Sequence, residues 1–296
     1  MMPPLCTKNS PAFKWGLGRM SICLAVLASS RKEIVCLTDR KVSFPSFSAD
    51  HMTLKNEPFV GSCCVLTAGD DTEYIPLILE SAKAELKPNA HPREVADAID
   101  DAYHGQIAEL IEKRVLKKFH FNCESFQKNG KKLLSEAVYA RLCERIDKVN
   151  LSLKFLICGF DKNGIGHIFT AGGEQSVAGY EHIGLWAIGE GAEAALSILA
   201  FHITHKHASP PFAPLNTAIT IALSAKFMAE SANSVGEGTF TVVFKHGEPV
   251  RFIDDDVVDK MRKQWLKDGS PRLSRKLLEG IPKVLHEAIK PSNSQM

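Results

Sequence analysis

The chain has 296 residues, a length that suits one large domain or two smaller ones. Apolar residues make up 45% and charged residues 24%, which are ordinary globular values and exclude wholesale disorder. The net charge is only +2 and no basic stripe follows the chain, so nucleic acid is not an expected partner. No apolar run reaches the roughly 18–20 residues that a membrane-spanning helix needs, so no membrane is expected either.

Eight cysteines occur without a CxxC pair, and several lie inside apolar runs. A free cysteine packs like a small apolar residue. We therefore expect buried free thiols in a reducing compartment, and a cytoplasmic protein.

The predicted elements begin with residues 1–20, which have early prolines and no periodicity and are expected to be a disordered extension or a propeptide. Apolar runs at 22–27 and 34–37 around a polar turn predict a buried β-hairpin. Residues 59–68 predict another strand pair. Helices are predicted at 74–86, from Pro92 to 111 and at 133–149, whereas 119–129 is less regular.

The second half returns to strands, with a hairpin at 151–170 that turns at Asn163-Gly164. A strand at 182–188, helices at 192–202 and 213–232, and a strand at 239–244 follow. This order does not fit parallel βαβ alternation and favours an α+β protein of two packed sheets with helices outside them. The expected organisation is a domain over 21–246 followed by a helical C-terminal tail over 247–296.

Four residues in the first part of the chain have a specific spacing. Asp39 follows Ser21, Lys55 comes 16 residues after Asp39, and Gly69 comes 14 residues after Lys55. In this layout, and again at 182–195, the sequence resembles the proteasome β-subunit-like family of N-terminal-nucleophile (Ntn) hydrolases. It is most similar to bacterial proteasome-like proteins of unassigned role. The resemblance covers about residues 21–244 and implies a four-layer α/β/β/α sandwich.

The resemblance also implies a role for each of these residues. Ser21, once it is the first residue of the mature chain, would be the nucleophile, and its own α-amine would be the base. An α-amine suits this task because its pKa is ~7.7–8.0, near the working pH. Lys55 would lower the proton affinity of the nucleophile, Asp39 would hold Lys55 charged, and the Gly69 N–H would stabilise the oxyanion.

The sequence departs from the family pattern in three ways. The nucleophile is serine instead of the usual threonine, and Met20 instead of glycine precedes it. Removal of an initiating methionine at position 20 is therefore simpler than self-cleavage. The supporting cluster is only approximate, because it consists of Gly189-Glu190-Gly191 in place of Gly-Ser-Gly, together with Glu230, Ser231 and Ser234.

The expected function is hydrolysis of amide bonds, peptide bonds first among them, in a homo-oligomeric ring or shell. An inactive proteasome-like scaffold or assembly subunit is the main alternative. A secreted protein with a leader cleaved after Ala28 is a lesser one. The partner expected is a peptide or small amide substrate. No cofactor or metal is expected, since His202, His205 and His207 have no defined fourth ligand.

Overall fold

The computed structural model describes residues 22–43, 48–49, 55–173, 176–206 and 210–269. Ser21, the predicted extension and the end of the predicted tail lie outside them. The strands are β1 (Ile22–Ala28), β2 (Glu33–Asp39), β3 (Val42–Ser43), β4 (Ser48–Ala49), β5 (Asn56–Pro58), β6 (Cys64–Gly69), β7 (Leu153–Phe160), β8 (Gly166–Ala171), β9 (Ala178–Gly179), β10 (Leu185–Gly189), β11 (Thr239–Lys245) and β12 (Arg251–Phe252). The α-helices are α1 (Ile75–Glu85), α2 (Pro92–Ile111), α3 (Cys123–Leu133), α4 (Glu136–Ile146), α5 (Ala192–Lys206), α6 (Leu215–Ala229) and α7 (Asp255–Gln264).

The first sheet is antiparallel and has the strand order β10-β1-β2-β11-β12. The predicted hairpin forms its centre, with Cys23 opposite Thr38 and Ala28 opposite Glu33. Every residue of β1 is buried, because helices cover one face of the sheet and the second sheet covers the other. Cleavage after Ala28, as the leader hypothesis requires, would remove this central strand.

The second sheet is also antiparallel, with the order β5-β6-β7-β8-β9. The predicted strand pair at 59–68 is shifted, since β5 ends at Pro58 and residues 59–63 form the turn before β6. The predicted Asn-Gly hairpin joins β7 to β8, and Gly164 takes the positive φ of +68° that this turn requires. The chain is thus a mixed α+β protein built on two antiparallel sheets.

Among the described residues, three of the four apolar clusters lie against the two sheets, and the fourth packs α3 and α4 together. One lies between the two sheets and contains the thiols of Cys36 on β2, Cys64 on β6 and Cys158 on β7. Cys36 Sγ lies 3.6 Å from Cys158 Sγ, and both thiols are free. The other two clusters cover the outer faces: α5, α6 and α7 pack on the first sheet, and α1 and α2 pack on the second.

The helices agree with the predicted pattern except at one place. Residues 119–129 were expected to be irregular, yet α3 begins at Cys123 and continues to Leu133. Asn122 caps it, because its side chain accepts the Ser125 N–H while the Ser125 hydroxyl accepts the Asn122 N–H. Part of the predicted tail joins the first sheet as β12 and packs on α6 as α7. Among the described residues, no helix is long and apolar enough to span a membrane.

Candidate functional site

A buried carboxylate at the end of β2 organises the candidate site. Asp39 has no exposed surface, and its Oδ1 accepts a hydrogen bond of 2.7 Å from Lys55 Nζ. The same oxygen accepts the Ile22 N–H at 3.1 Å, and Oδ2 accepts the Gly236 N–H at 3.3 Å. These hydrogen bonds replace the water that burial removes from the carboxylate. Asp39 therefore holds a cation, the start of β1 and the loop after α6 at one point.

Lys55 is held on both its side chain and its backbone. Its ammonium group also donates to the Lys41 carbonyl at 2.8 Å, and only 12% of the side chain is exposed. Lys55 directly precedes β5, and its carbonyl accepts the Thr67 N–H of β6 at 3.2 Å. This hydrogen bond holds the backbone of the lysine against β6. The structure thus brings together Asp39 and Lys55, which are 16 residues apart in the sequence.

Ser21 lies outside the described residues, but its neighbour in the chain is well defined. Ile22 begins β1 opposite Gly189 of β10, and its N–H binds Asp39. The amide N–H of Ile22 is therefore anchored at the same carboxylate as Lys55. The role of Ser21 as a nucleophile stays a prediction.

Gly69 ends β6 with φ +137°, opposite Leu153 of β7. A Cβ at this position would lie 1.9 Å from the Ser152 carbonyl oxygen, so only glycine fits here. The next residue, Asp70, donates its N–H to that oxygen at 2.8 Å. Glycine is thus required by packing alone, and its predicted oxyanion role remains a prediction.

The predicted supporting residues have different surroundings. Ser231 is exposed, whereas Ser234 is buried and its hydroxyl has no hydrogen-bond partner among the described residues. Glu230 is fully engaged, because it binds Lys226 Nζ at 2.6 Å and Arg262 at 3.1 and 3.2 Å. Among Glu230, Ser231 and Ser234, only Ser234 has a buried polar group that lacks a partner among the described residues.

The sequence analysis missed a second buried lysine beside this site. Lys226 on α6 has no exposed surface and donates to the Gly236 carbonyl at 2.8 Å, next to the N–H that binds Asp39. Burial lowers its pKa, and the carboxylates of Glu230 and Asp39 act in the opposite direction. The signal was present in the sequence, since Lys226 is a lone charge in an apolar helix with Glu230 four residues later.

The helix α7 holds the loop that contains Gly236. Arg262 of α7 contacts the Glu237 carbonyl and Thr239 Oγ1, in addition to the Glu230 carboxylate. Its guanidinium lies 5.0 Å from the ring centre of Phe227, a cation–π distance. The helix α7 therefore stabilises the segment between α6 and β11 that reaches Asp39.

A cleft of about 860 Å³ opens between the ends of the two sheets, next to Gly69 and Gly189. Tyr180 and Trp186 stack in its wall with ring centres 3.8 Å apart. Its lining consists of residues 68–71, 150–154, 170–173, 180, 186–190, 192, 193 and 196. The volume lies in the range of ligand-binding clefts, and the stacked rings offer an apolar surface.

Glu190 at the cleft mouth provides a pH-dependent prediction. Partial desolvation raises its pKa above 4.5, and the nearby Asp70 carboxylate raises it further. The folded protein then binds this proton more tightly than the unfolded chain, so the charged form destabilises the fold. We expect the stability of the wild type to fall, relative to Glu190→Gln, as the pH rises through this raised pKa.

Thermal midpoints of the two proteins between about pH 4 and 7 measure this difference. The two curves should meet at the acid end and separate towards neutrality. Glu80→Gln on the exposed face of α1 is the matched control and should give parallel curves. A constant offset for Glu190→Gln at every pH would contradict the prediction.

The two antiparallel sheets and the helices on their outer faces match a proteasome-related fold. No family model and no curated protein matches the chain. A solved structure that matches is the Gly-1 mutant of Anbu from Hyphomicrobium sp. strain MC1. The TM-score is 0.54 at 15% identity, covering 93% of this chain and 99% of that one. The resemblance predicted from the sequence is thus confirmed at the level of a bacterial proteasome-like fold.

Proposed function

We propose that the chain is an N-terminal-nucleophile hydrolase that cleaves amide bonds, mainly peptide bonds, with Ser21 as the nucleophile. The observation that carries the proposal is the sharing of one carboxylate oxygen of Asp39 by Lys55 Nζ and the Ile22 N–H. This arrangement ties a buried cation to the residue that directly follows Ser21. A cation near a hydroxyl and an amine favours their deprotonated forms, which are the forms that react.

The reaction follows from these groups once Ser21 is the first residue. Ser21 Oγ attacks the amide carbonyl while its proton passes to the Ser21 α-amine, directly or through water. The protonated amine then gives that proton to the leaving nitrogen, and an ester forms on Ser21. Water attacks the ester, releases the carboxylic acid and restores the hydroxyl. The Gly69 N–H is proposed to stabilise the oxyanion in both steps.

The finer architecture and the assembly belong to the same proposal. The apolar clusters between the sheets and on their outer faces support a four-layer α/β/β/α sandwich with a helical tail. Likeness to a proteasome-like fold supports a homo-oligomer, and the free cysteines support a cytoplasmic protein. Light scattering of the purified protein tests the assembly, and a strict monomer would count against it.

The test of the catalytic proposal uses a chain that begins at Met20, so that methionine removal leaves Ser21 first. Intact mass establishes this N-terminus. The probe is a peptide epoxyketone, whose two electrophilic carbons capture the hydroxyl and the amine of one residue. We expect one adduct on Ser21, none in Ser21→Ala, and labelling slowed by about 100-fold or more in Lys55→Met.

Lys245→Met is the matched control, because Lys245 is exposed and pairs only with Glu248 among the described residues. Its labelling should equal that of the wild type. Equal labelling of Ser21→Ala would remove Ser21 from the mechanism. A folded protein with a verified Ser21 amine that neither binds the probe nor cleaves fluorogenic peptides would overturn the proposal in favour of the inactive scaffold. The fixed ion pairs of Glu230, where the family pattern is only approximated, are the observation that favours this alternative.

A further inference from the structure

A second group of polar side chains lies at the other end of β7 and β8. Asp161 follows Phe160, the last residue of β7, whereas Gly69 of the candidate site pairs with Leu153, its first residue. At about 3.3 Å per residue, the strand between them spans more than about 20 Å. The group therefore does not belong to the site around Asp39.

His167 on β8 is oriented by one nitrogen and leaves the other without a partner. Its Nδ1 lies 3.1 Å from Glu181 Oε1 and 3.2 Å from Arg31 Nη2, and in the tautomer with Nδ1 protonated the ring donates to the Glu181 carboxylate. Its Nε2 is buried and has no hydrogen-bond partner among the described residues. A buried, unpaired ring nitrogen is costly, and it therefore points to a missing partner.

The carboxylate of Asp161 lies close to that nitrogen. Asp161 Oδ1 already accepts the N–H groups of Asn163 and Ile165 at 2.9 and 2.8 Å. Its other oxygen, Oδ2, lies 3.6 Å from His167 Nε2, which is too long for a hydrogen bond. Two electron-pair donors thus face each other across a gap that a cation could fill.

His91 completes the group from the start of α2. Its ring centre lies 4.7 Å from that of His167, and one ligand atom from each of His91, Asp161 and His167 lies within 4.8 Å of the others. All three residues are half-buried. The group joins the N-terminus of a helix to a β-hairpin that is distant in the sequence.

We propose that His91, Asp161 and His167 bind a zinc ion, with water as the fourth ligand. Two imidazoles and one carboxylate form a ligand set that suits Zn²⁺ in tetrahedral geometry. A carboxylate behind a ligating histidine, here Glu181 behind His167, is the usual means of fixing the tautomer and raising its basicity. The two carboxylates also offset the charge of Arg31, whose Nη2 lies 3.2 Å from His167 Nδ1.

His91 is the last ligand to engage. Its Nδ1 accepts the Arg93 N–H at 3.1 Å and caps α2, so its Nε2 carries the proton in the neutral ring. Ligation through Nε2 requires the proton to move to Nδ1 and the cap to be given up. His167 and Asp161 therefore bind first, and the ion then ties α2 to the β7–β8 hairpin. This inference adds a metal that the sequence analysis did not expect.

The test begins with full-length protein treated with a chelator and then dialysed free of it. Zn²⁺ is titrated by calorimetry, and Co²⁺ is added separately because tetrahedral Co²⁺ absorbs visible light. We expect one zinc per chain with micromolar or tighter affinity, a rise in the thermal midpoint, and the tetrahedral Co²⁺ spectrum. His167→Asn and Asp161→Asn should each weaken zinc binding by about 100-fold, and the asparagine at 161 can keep the turn.

His91→Asn separates the ligand from the cap, because asparagine caps helices well but does not replace imidazole as a zinc ligand. It should keep the metal-free thermal midpoint and weaken zinc binding by about 10-fold. His120→Asn is the control: His120 is exposed, and asparagine tolerates its left-handed φ of +58°. If zinc does not bind, or binds equally well to His167→Asn and Asp161→Asn, the proposal is wrong.

Discussion

Asp39→Ala is expected to lower the free energy of unfolding by about 3–5 kcal/mol, because it leaves the mostly buried ammonium of Lys55 without its carboxylate. It also removes the acceptor of the Ile22 and Gly236 N–H groups, both of which lie in buried surroundings. Each such loss adds a desolvation cost. The first strand, the second sheet and the loop after α6 all depend on this one side chain.

Denaturant unfolding of Asp39→Ala and of the double variant Asp39→Leu with Lys55→Met measures this effect. The double variant removes both charges, so it should recover part of the lost stability. Asp255→Ala is the control, because Asp255 binds Arg40 with two hydrogen bonds of 2.9 and 3.0 Å but is 56% exposed. Its loss should not exceed about 1 kcal/mol. A loss of that small size for Asp39→Ala would contradict the prediction.

Gly69→Ala is expected to destabilise the protein by about 3 kcal/mol or more, since both the backbone angle and the space exclude a side chain. The added Cβ would meet backbone atoms of Ser152 and Leu153, which cannot move without breaking the pairing of β6 with β7. The distortion also lies in the cleft wall. We therefore expect the variant to lose any ligand or probe binding in the cleft together with its stability.

Gly105→Ala is the matched control, because Gly105 lies inside α2 and a Cβ there meets nothing within 4 Å. Alanine favours the helix by roughly 0.5–1 kcal/mol, so this variant should be slightly more stable than the wild type. Thermal unfolding of the two variants beside the wild type should show shifts in opposite directions. Equal stability of Gly69→Ala and the wild type would mean that the end of β6 is less constrained than described.

Local patterns predicted most of the secondary structure, because the elements they describe are bounded by strong signals. The two hairpins were predicted from apolar runs around polar or Asn-Gly turns, and β1–β2 and β7–β8 form at those places. The helix α3 was missed because its average composition is polar and its regularity depends on the Asn122 cap and a few buried contacts. Such contacts exist only after neighbouring elements have packed.

The contact between Asp39 and Lys55 was implied by the family resemblance and not by any local pattern. Asp39 ends β2 of the first sheet and Lys55 precedes β5 of the second, so their contact depends on how the two sheets pack. Lys226 and Arg262 come from α6 and α7, whose positions relative to β2 depend on tertiary packing. The group of His91, Asp161 and His167 joins two segments that are distant in the sequence, and it was missed for the same reason. One sequence without packing information cannot rank such distant pairs.

The free thiols between the two sheets can be used to detect separation of the sheets. Burial raises the pKa of Cys64 and Cys158 well above the ordinary value, so neither thiol reacts while the sheets stay in contact. A maleimide therefore labels them only when one sheet lifts from the other or the chain unfolds. Peptide mass separates these two positions from the less buried Cys123 and Cys143, so the labelling rate at Cys64 and Cys158 under native conditions reports the free energy of that separation.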